Sequence, residues 1–284
     1  MTSAAPTGPT AAGTSPTVRT LLERATRDLQ AAGCGTPRLD AELLLGDALG
    51  WGRERLLIDS GTAVPPPAAR RFAALAARRA AREPVAYLLG RRAFRRLELQ
   101  VDARVLIPRP ETETLVEAAL GLPAGARVLD VATGSGAVAL ALADERPDLT
   151  ITGTDASPAA LEVARANAAR LRLEVTLREA DLMDGAGGPF DAVLANLPYV
   201  AAADLPGLGP ELAYEPAAAL DGGPDGLALV RRLAAQAADV PFVALEVGAG
   251  QAAAVAALLA PAHPRIETCP DLSGIERVVV GRHG

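Results

Sequence analysis

Asn196-Leu197-Pro198-Tyr199 closes the apolar run Phe190-Asp191-Ala192-Val193-Leu194-Ala195, sixty positions after Gly136, the last residue of the turn Asp130-Val131-Ala132-Thr133-Gly134-Ser135-Gly136. An Asn carboxamide followed by a backbone carbonyl offers two adjacent acceptors. Such a pair suits a planar nitrogen. The lone pair of an amide or exocyclic amine is delocalised and weakly nucleophilic, so gripping its two N–H groups aims that lone pair at an electrophile. The chemistry suggested is methyl transfer, with Asn196, Leu197, Pro198 and Tyr199 as the catalytic and substrate-holding set. The usual form of this signature is Asn-Pro-Pro-Tyr, and Leu197 departs from it.

The glycine-rich turn suggests where an electrophile could be held. In doubly wound sheets ligands bind beyond the carboxyl ends of the strands, and the first strand-to-helix turn brings backbone closest to them. Gly134 and Gly136 stand in that turn, and Asp155 ends the second predicted strand nineteen residues after Gly136, where a carboxylate can accept from both ribose hydroxyls. Ser157-Pro158 supplies the following helix with a cap and first residue, which leaves Asp155 for a ligand. A ribose is common to NAD and S-adenosylmethionine. The third glycine of the dinucleotide fingerprint is missing, and Asp130 opens the turn with a negative charge suited to a sulfonium and poorly suited to a pyrophosphate. The candidate cofactor set is Asp130, Ala132, Thr133, Gly134, Ser135, Gly136, Asp155, Asp181, Leu182 and Asn196, with S-adenosyl-L-methionine as cofactor and no metal.

The elements that must position these residues are legible in the periodicity. Residues 1–17, rich in Ala, Pro, Thr, Ser and Gly, lack an apolar period and read as a disordered tail. Helical spacing of Leu21-Leu22, Ala25 and Leu29, then Leu39, Leu43-Leu44 and Leu49, then Phe72, Leu75 and Ala76 predicts a helical domain over 18–89, broken at Pro37 and Pro65-Pro66-Pro67. Leu97, Leu99 and Val101 alternate with Glu98, Gln100 and Asp102, so 90–108 reads as a β-hairpin connector. From 109 to 284 buried strands at 127–132, 150–155, 175–180, 191–195 and 242–247 alternate with helical stretches at 137–145, 158–170 and 227–238. That alternation predicts an α/β, mostly parallel, doubly wound sheet, with 265–270 and 276–281 adding an antiparallel pair.

Composition narrows the classes. No run reaches the eighteen apolar residues of a membrane helix, and the N-terminus lacks a basic then apolar leader, so a cytoplasmic protein without membrane partners is expected. Cys34 and Cys269 have no metal-like spacing. The net charge of −6 speaks against nucleic-acid binding by the whole molecule. Eleven Arg against three acidic residues between Arg70 and Arg109 concentrate positive charge locally, either as a solvated helix face or as a docking surface for an acidic partner or RNA. Every basic residue is Arg, which matches a GC-rich coding bias.

Five stretches together carry a family resemblance. They are Leu106-Ile107-Pro108-Arg109-Pro110-Glu111-Thr112-Glu113, the Asp130–Gly136 turn, Asn196–Tyr199, Glu215-Pro216 with Leu220–Leu227, and Asp271–Gly274 with Arg277–Arg282. In order and spacing the chain resembles the bacterial release-factor glutamine methyltransferases, the HemK or PrmC family. The resemblance implies a class I S-adenosylmethionine-dependent methyltransferase domain behind a small helical substrate-docking domain. It implies N5-methylation of the glutamine in the Gly-Gly-Gln motif of peptide chain release factors, by a monomer that needs no nucleic acid. By position it places Arg109 and Glu111 beside the substrate.

Ala132 stands where the family turn has glycine, and Leu197 where it has proline. Leu retains the carbonyl, and Pro198 restrains the residue before it to extended backbone. Lost rigidity of roughly 0.4–1 kcal/mol predicts reduced rather than abolished activity. Two alternatives are an amino-methyltransferase acting on another protein or a nucleic-acid base, and a degenerate binding protein without turnover.

Overall fold

A computed structural model describes residues 15–284, so the expectation for the N-terminal tail falls, up to residue 14, outside the described residues. The chain divides into two compact units, one ending at Leu89 and one beginning at Gly90.

The first unit is helical: α1 Val18–Ala31, α2 Pro37–Leu49, α3 Arg53–Ile58, α4 Pro66–Ala80 and α5 Val85–Leu89. Thr17 starts α1 by accepting from the Thr20 N–H, and Val18, Leu22, Ala25 and Leu29 bury one stripe of that helix. Pro37 and Pro66 open α2 and α4 where a missing N–H costs nothing, and Gly50 ends α2 in the left-handed region. Within this core Arg79 donates to Asp40 at 2.7 Å, both side chains 6% exposed. Breaking such a pair strands a buried charge at a cost of about 3–5 kcal/mol, so Arg79 is a structural residue.

Other arginines of the Arg-rich stretch form ion pairs that are mostly solvent-exposed and worth about 0–1 kcal/mol each. Arg71 pairs with Asp47, Arg78 with Glu83, Arg95 with Glu117 and Glu145, Arg96 with Asp144, and Arg104 with Asp102 and Glu162. Asp47, Glu117, Asp144, Glu145 and Glu162 bring carboxylates to the stretch from outside it, and Glu83 and Asp102 pair within it.

The second unit opens with a hairpin, β1 Arg91–Phe94 and β2 Leu97–Gln100, in antiparallel register. It had been expected as a connector, yet it packs into the larger unit. Phe94, Leu97 and Leu99 join that unit's core, and the buried Asn167 side chain accepts from Gln100 N and donates to Gln100 O at 2.7 and 2.9 Å. Then follow α6 Glu113–Ala119, β3 Arg127–Val131, α7 Ala137–Glu145, β4 Thr150–Asp155, α8 Pro158–Leu171, β5 Thr176–Glu179, β6 Ala192–Ala195, α9 Ala228–Gln236, β7 Phe242–Glu246, α10 Ala252–Leu259, β8 Arg265–Pro270 and β9 Glu276–Arg282.

The seven-stranded sheet has the order β5-β4-β3-β6-β7-β9-β8. Its first five strands are parallel, and β9 runs antiparallel to both β7 and β8. One face, with Leu194 and Ala244, packs on α6 and α7; the other, with Val193, Val243 and Leu245, packs on α9 and α10. Burial on both faces is why β6 and β7 read as unbroken apolar runs. The order reverses at β3, so the crevice beyond the carboxyl ends of β3, β4 and β6 is where a ligand fits.

Candidate active site

Strand register assembles the site. Val131 is level with Ala195, and Ala195 with Leu245, so Ala132 and Asn196, just past the ends of β3 and β6, stand side by side with Glu246, the last residue of β7. A cavity of about 320 Å³ opens there, lined by Ala132, Gly134, Asp155, Asp181, Leu182, Asn196, Leu197 and Pro198 among others.

The glycine turn shapes one wall. Ala132, Gly134 and Gly136 all have positive φ, at 57, 56 and 83°. A Cβ on Gly134 would meet nothing within 4 Å, leaving room for a ligand against bare backbone, whereas one on Gly136 would lie 2.9 Å from Leu140 Cδ1. The two glycines therefore differ in purpose. Gly134 keeps the cavity open, and Gly136 lets α7 close on the turn.

Asp155 stands at the end of β4 with one oxygen accepting from Gly134 N–H at 2.9 Å and the other from Ser157 N–H at 2.8 Å. Burial raises its carboxyl above the ordinary carboxylate range, against the pull of those two donors. Asp130 sits beneath the turn instead of in the cavity. Its Oδ2 accepts from Thr133 Oγ1 at 2.6 Å and Ala139 N–H at 3.1 Å, and burial pushes it up to about 7. Thr133 and Ser135 are also buried behind the turn. Asp130, Thr133, Ser135 and Gly136 thus build the turn, while Ala132 and Gly134 face the space. At the far end Leu182 is buried with φ 57°, and the exposed Asp181 is held by Arg232 at 2.6 Å.

Opposite the turn, Asn196 Nδ2 donates to Thr112 Oγ1 at 3.1 Å. Among the described residues, Asn196 Oδ1 and the Leu197 carbonyl have no partner, which leaves both acceptors available. Leu197 buries its side chain to 2% exposure. Tyr199 lies beside Gly248, outside the cavity wall, with its carbonyl accepting from Gln251 Nε2 at 3.0 Å. Burial, and then the neighbouring Glu246 charge, raise its hydroxyl pKa. Arg109 is turned away onto the buried Glu215, which also accepts from Ile107 N–H at 3.1 Å. This clip ties the 107–109 segment to the loop carrying Pro216, Ala218 and Ala219 into the cavity wall. Glu111 lines a separate recess with Glu113, Glu117 and Asp271.

Sequence reading missed Glu246 and Gln251, and took Glu215 only as part of a family stretch, without a partner. For Glu246 a signal existed: a lone carboxylate ends an otherwise apolar buried strand. Among the described residues no cluster of His, Cys, Asp and Glu could hold a metal ion, and no helix is long and apolar enough to cross a membrane.

Comparisons with known proteins agree with this layout. Residues 20–90 match the PrmC N-terminal domain and residues 110–230 the methyltransferase small domain. The chain is 43% identical over 276 residues to a release factor glutamine methyltransferase of Rhodospirillum rubrum, covering 92% of this chain and 84% of that one. It is 42% identical over 272 residues to one of Deinococcus radiodurans, covering 93% and 98%. Among solved structures, a methyltransferase from Pyrococcus furiosus superposes with TM-score 0.52 at 17% identity, over 66% of this chain and 89% of that one. The hMettl16 catalytic domain in complex with an RNA hairpin superposes at 0.53 and 13% identity, over 66% and 75%. At such identities the two structures share the fold alone.

The residues present fit S-adenosylmethionine. The space above Gly134, the Asp155 carboxylate and the apolar far end at Leu182 are the surfaces that a backbone-hugging, ribose-bearing, aromatic-ended cofactor requires.

Proposed function

The chain belongs to the release factor glutamine methyltransferase family, and from that premise we propose that it methylates N5 of the glutamine in the Gly-Gly-Gln motif of peptide chain release factors. S-adenosylmethionine supplies an electrophilic methyl group on a sulfonium. The residues around it bind and aim. Ala132, Gly134, Asp155 and Leu182 hold the cofactor, with Asp155 accepting from its ribose.

Asn196 Oδ1 and the Leu197 carbonyl each accept one N–H of the substrate amide. Holding both hydrogens fixes the nitrogen and turns its lone pair toward the cavity, so positioning is the principal contribution of the chain. The methylated nitrogen is cationic and strongly acidic, so its proton leaves without a strong base. The observation that carries this reading is the Asn196–Thr112 hydrogen bond, which commits the amide nitrogen and leaves the oxygen free.

The test is incubation of the protein with purified release factor and methyl-labelled cofactor, followed by mass-spectrometric mapping of the label. Label on that glutamine is expected. Asn196→Ala should lose at least about a hundredfold in turnover while binding the cofactor normally, as for the loss of a group that positions the reacting atoms. Label elsewhere, or normal turnover in that variant, would overturn the assignment.

A further inference from the structure

From Pro198 to Asp221 every residue is exposed or half-buried except Glu215. A long surface segment is thus anchored by a carboxylate where an apolar side chain would be ordinary. Around it the chain forms short 3-10 turns, Leu205–Gly207, Pro210–Tyr214 and Ala217–Ala219. Asp204, Gly207, Leu208, Leu212 and Ala219 each give their N–H to a carbonyl three positions back, which closes the turns on themselves.

The strip that receives the carboxylate is fixed on other sides. Val105 and Ile107 are buried. Arg104 pairs with Asp102 and, in α8, with Glu162 at 3.0 Å, and the Pro108 carbonyl accepts from Arg92 Nε at 3.2 Å. Glu215 Oε2 accepts from Ile107 N–H at 3.1 Å, and its Oε1 from Arg109 Nη2. Its side chain is 2% exposed and that of Arg109 30%. Both strips face one cavity: Arg104, Val105 and Leu106 line the space beside Gly134 and Asp155, and so do Pro216, Ala218 and Ala219.

The chemistry of the anchor bears on what it does. Releasing an apolar anchor exposes its whole surface to water. For a carboxylate against a guanidinium the attraction is offset by the desolvation of both groups, and both regain water when they part. Such a pair fixes the segment in one place without making its release prohibitive. We propose that Glu215 is a positioning residue for S-adenosylmethionine: through Arg109 and the Ile107 N–H it latches 216–219 to 104–106 and so retains the cofactor. Arg109 then serves the cofactor cavity and not the protein substrate. The inference rests on that cavity being the cofactor site.

The experiment loads the full chain with methyl-labelled S-adenosylmethionine, without release factor, and follows loss of label by rapid filtration after a chase of unlabelled cofactor. Glu215→Gln keeps an oxygen for Ile107 and takes the charge from Arg109, whereas Arg109→Ala keeps the carboxylate and takes its partner. Each should release cofactor about tenfold faster than wild type, and the double variant should be no faster than the quicker single one. Arg109→Lys, which leaves a charge for Glu215, should recover part of the loss. Should Glu215→Gln fail to fold, the two Arg109 variants, at a position 30% exposed, carry the same test.

Hydrogen exchange is a second readout, one that a merely structural role would not confine to one segment. Without cofactor, Glu215→Gln should quicken exchange over 201–220 while β3, β4, β6 and β7 keep wild-type protection. Faster exchange throughout the sheet would show general destabilisation and overturn the latch, as would additive effects of the two substitutions or unchanged release in both. If Arg109→Ala raises the KM for release factor at saturating cofactor and leaves release unchanged, Arg109 contacts the protein substrate and the proposal fails. Wild type that retains no label would refute the cofactor reading itself, which separates that failure from failure of the latch.

Discussion

Removing the Asp155 carboxylate tests the cofactor end of the site. Asp155→Ala takes away an acceptor that faces the cavity and also frees the N–H groups of Gly134 and Ser157. Each hydrogen bond to a charged acceptor contributes about 1.5–3 kcal/mol. Two ribose hydroxyls would double that, but burial favours the protonated carboxyl, and part of the gain is spent holding it ionised in the complex. A net loss equal to one such bond is expected, roughly 10- to 150-fold in affinity for S-adenosylmethionine. Calorimetric titration measures it.

The turn could also slacken once Gly134 loses its partner, and that would weaken binding without any contact to ribose. A cycle separates the two effects. A cofactor analogue lacking the ribose hydroxyls should bind wild type more weakly than the parent, by about the same factor, and should bind Asp155→Ala no more weakly than the parent does. An equal penalty for the missing hydroxyls in both proteins would refute the ribose assignment, and so would unchanged affinity in Asp155→Ala.

Two further outcomes concern stability. Ala132 holds φ 57°, a conformation that costs a residue with a Cβ about 1 kcal/mol relative to glycine; Ala132→Gly should raise the melting temperature by about 2–4 °C, and a decrease would show that the methyl group packs usefully. Asp130 has a folded-state carboxyl raised from 3.8 to about 7. The folded protein therefore holds a proton that the unfolded chain releases between about pH 4 and 7, so stability from this group is present below pH 4, falls as pH rises and is fully lost above about 7. At about 1.4 kcal/mol per pKa step the ceiling is roughly 4 kcal/mol. Asp130→Asn keeps an oxygen for Thr133 and Ala139 and removes the titration, so it should gain most over wild type near pH 8 and least near pH 4 in denaturant melts. An advantage independent of pH would refute this account.

The parallel sheet was legible because β3, β6 and β7 are buried on both faces and read as largely apolar runs between helices of regular spacing. The hairpin was legible as a pair of strands from the alternation at Leu97 and Leu99, but its membership was not. That depends on Asn167, a residue distant in sequence that serves the Gln100 backbone. The Asn196 tetrapeptide and the Gly134 turn announced themselves locally. Asp130 misled because an acidic residue in a glycine-rich turn looks like a ligand group, whereas its carboxylate is spent on Thr133 and Ala139. Arg109 misled for the same reason, since its partner Glu215 is more than a hundred positions away. Periodicity reports which face is buried, and says nothing of which distant carboxylate will meet which arginine.

Leu197 can now be weighed against proline in physical terms. Proline would stiffen one residue of a strand-to-loop junction, worth roughly 0.4–1 kcal/mol where the chain is otherwise free. The junction is not free. A Cβ on Gly222 would lie 2.6 Å from the Pro198 carbonyl oxygen, and one on Gly226 would lie 2.3 Å from that of Tyr199, so the Asp221–Gly226 loop fits against this backbone with no room to spare. Val200 N–H donates to Leu220 O at 3.1 Å, and Val200 O accepts from Gly222 N–H at 2.8 Å. Gln251 Nε2 also donates to the Tyr199 carbonyl, at 3.0 Å. Rigidity at the acceptor pair is thus imposed from outside, and the glycines in that loop are there to let it approach. What position 197 must provide is an unpartnered carbonyl and an apolar body for the core beneath. Leucine meets both demands, and its buried side chain offsets the lost ring.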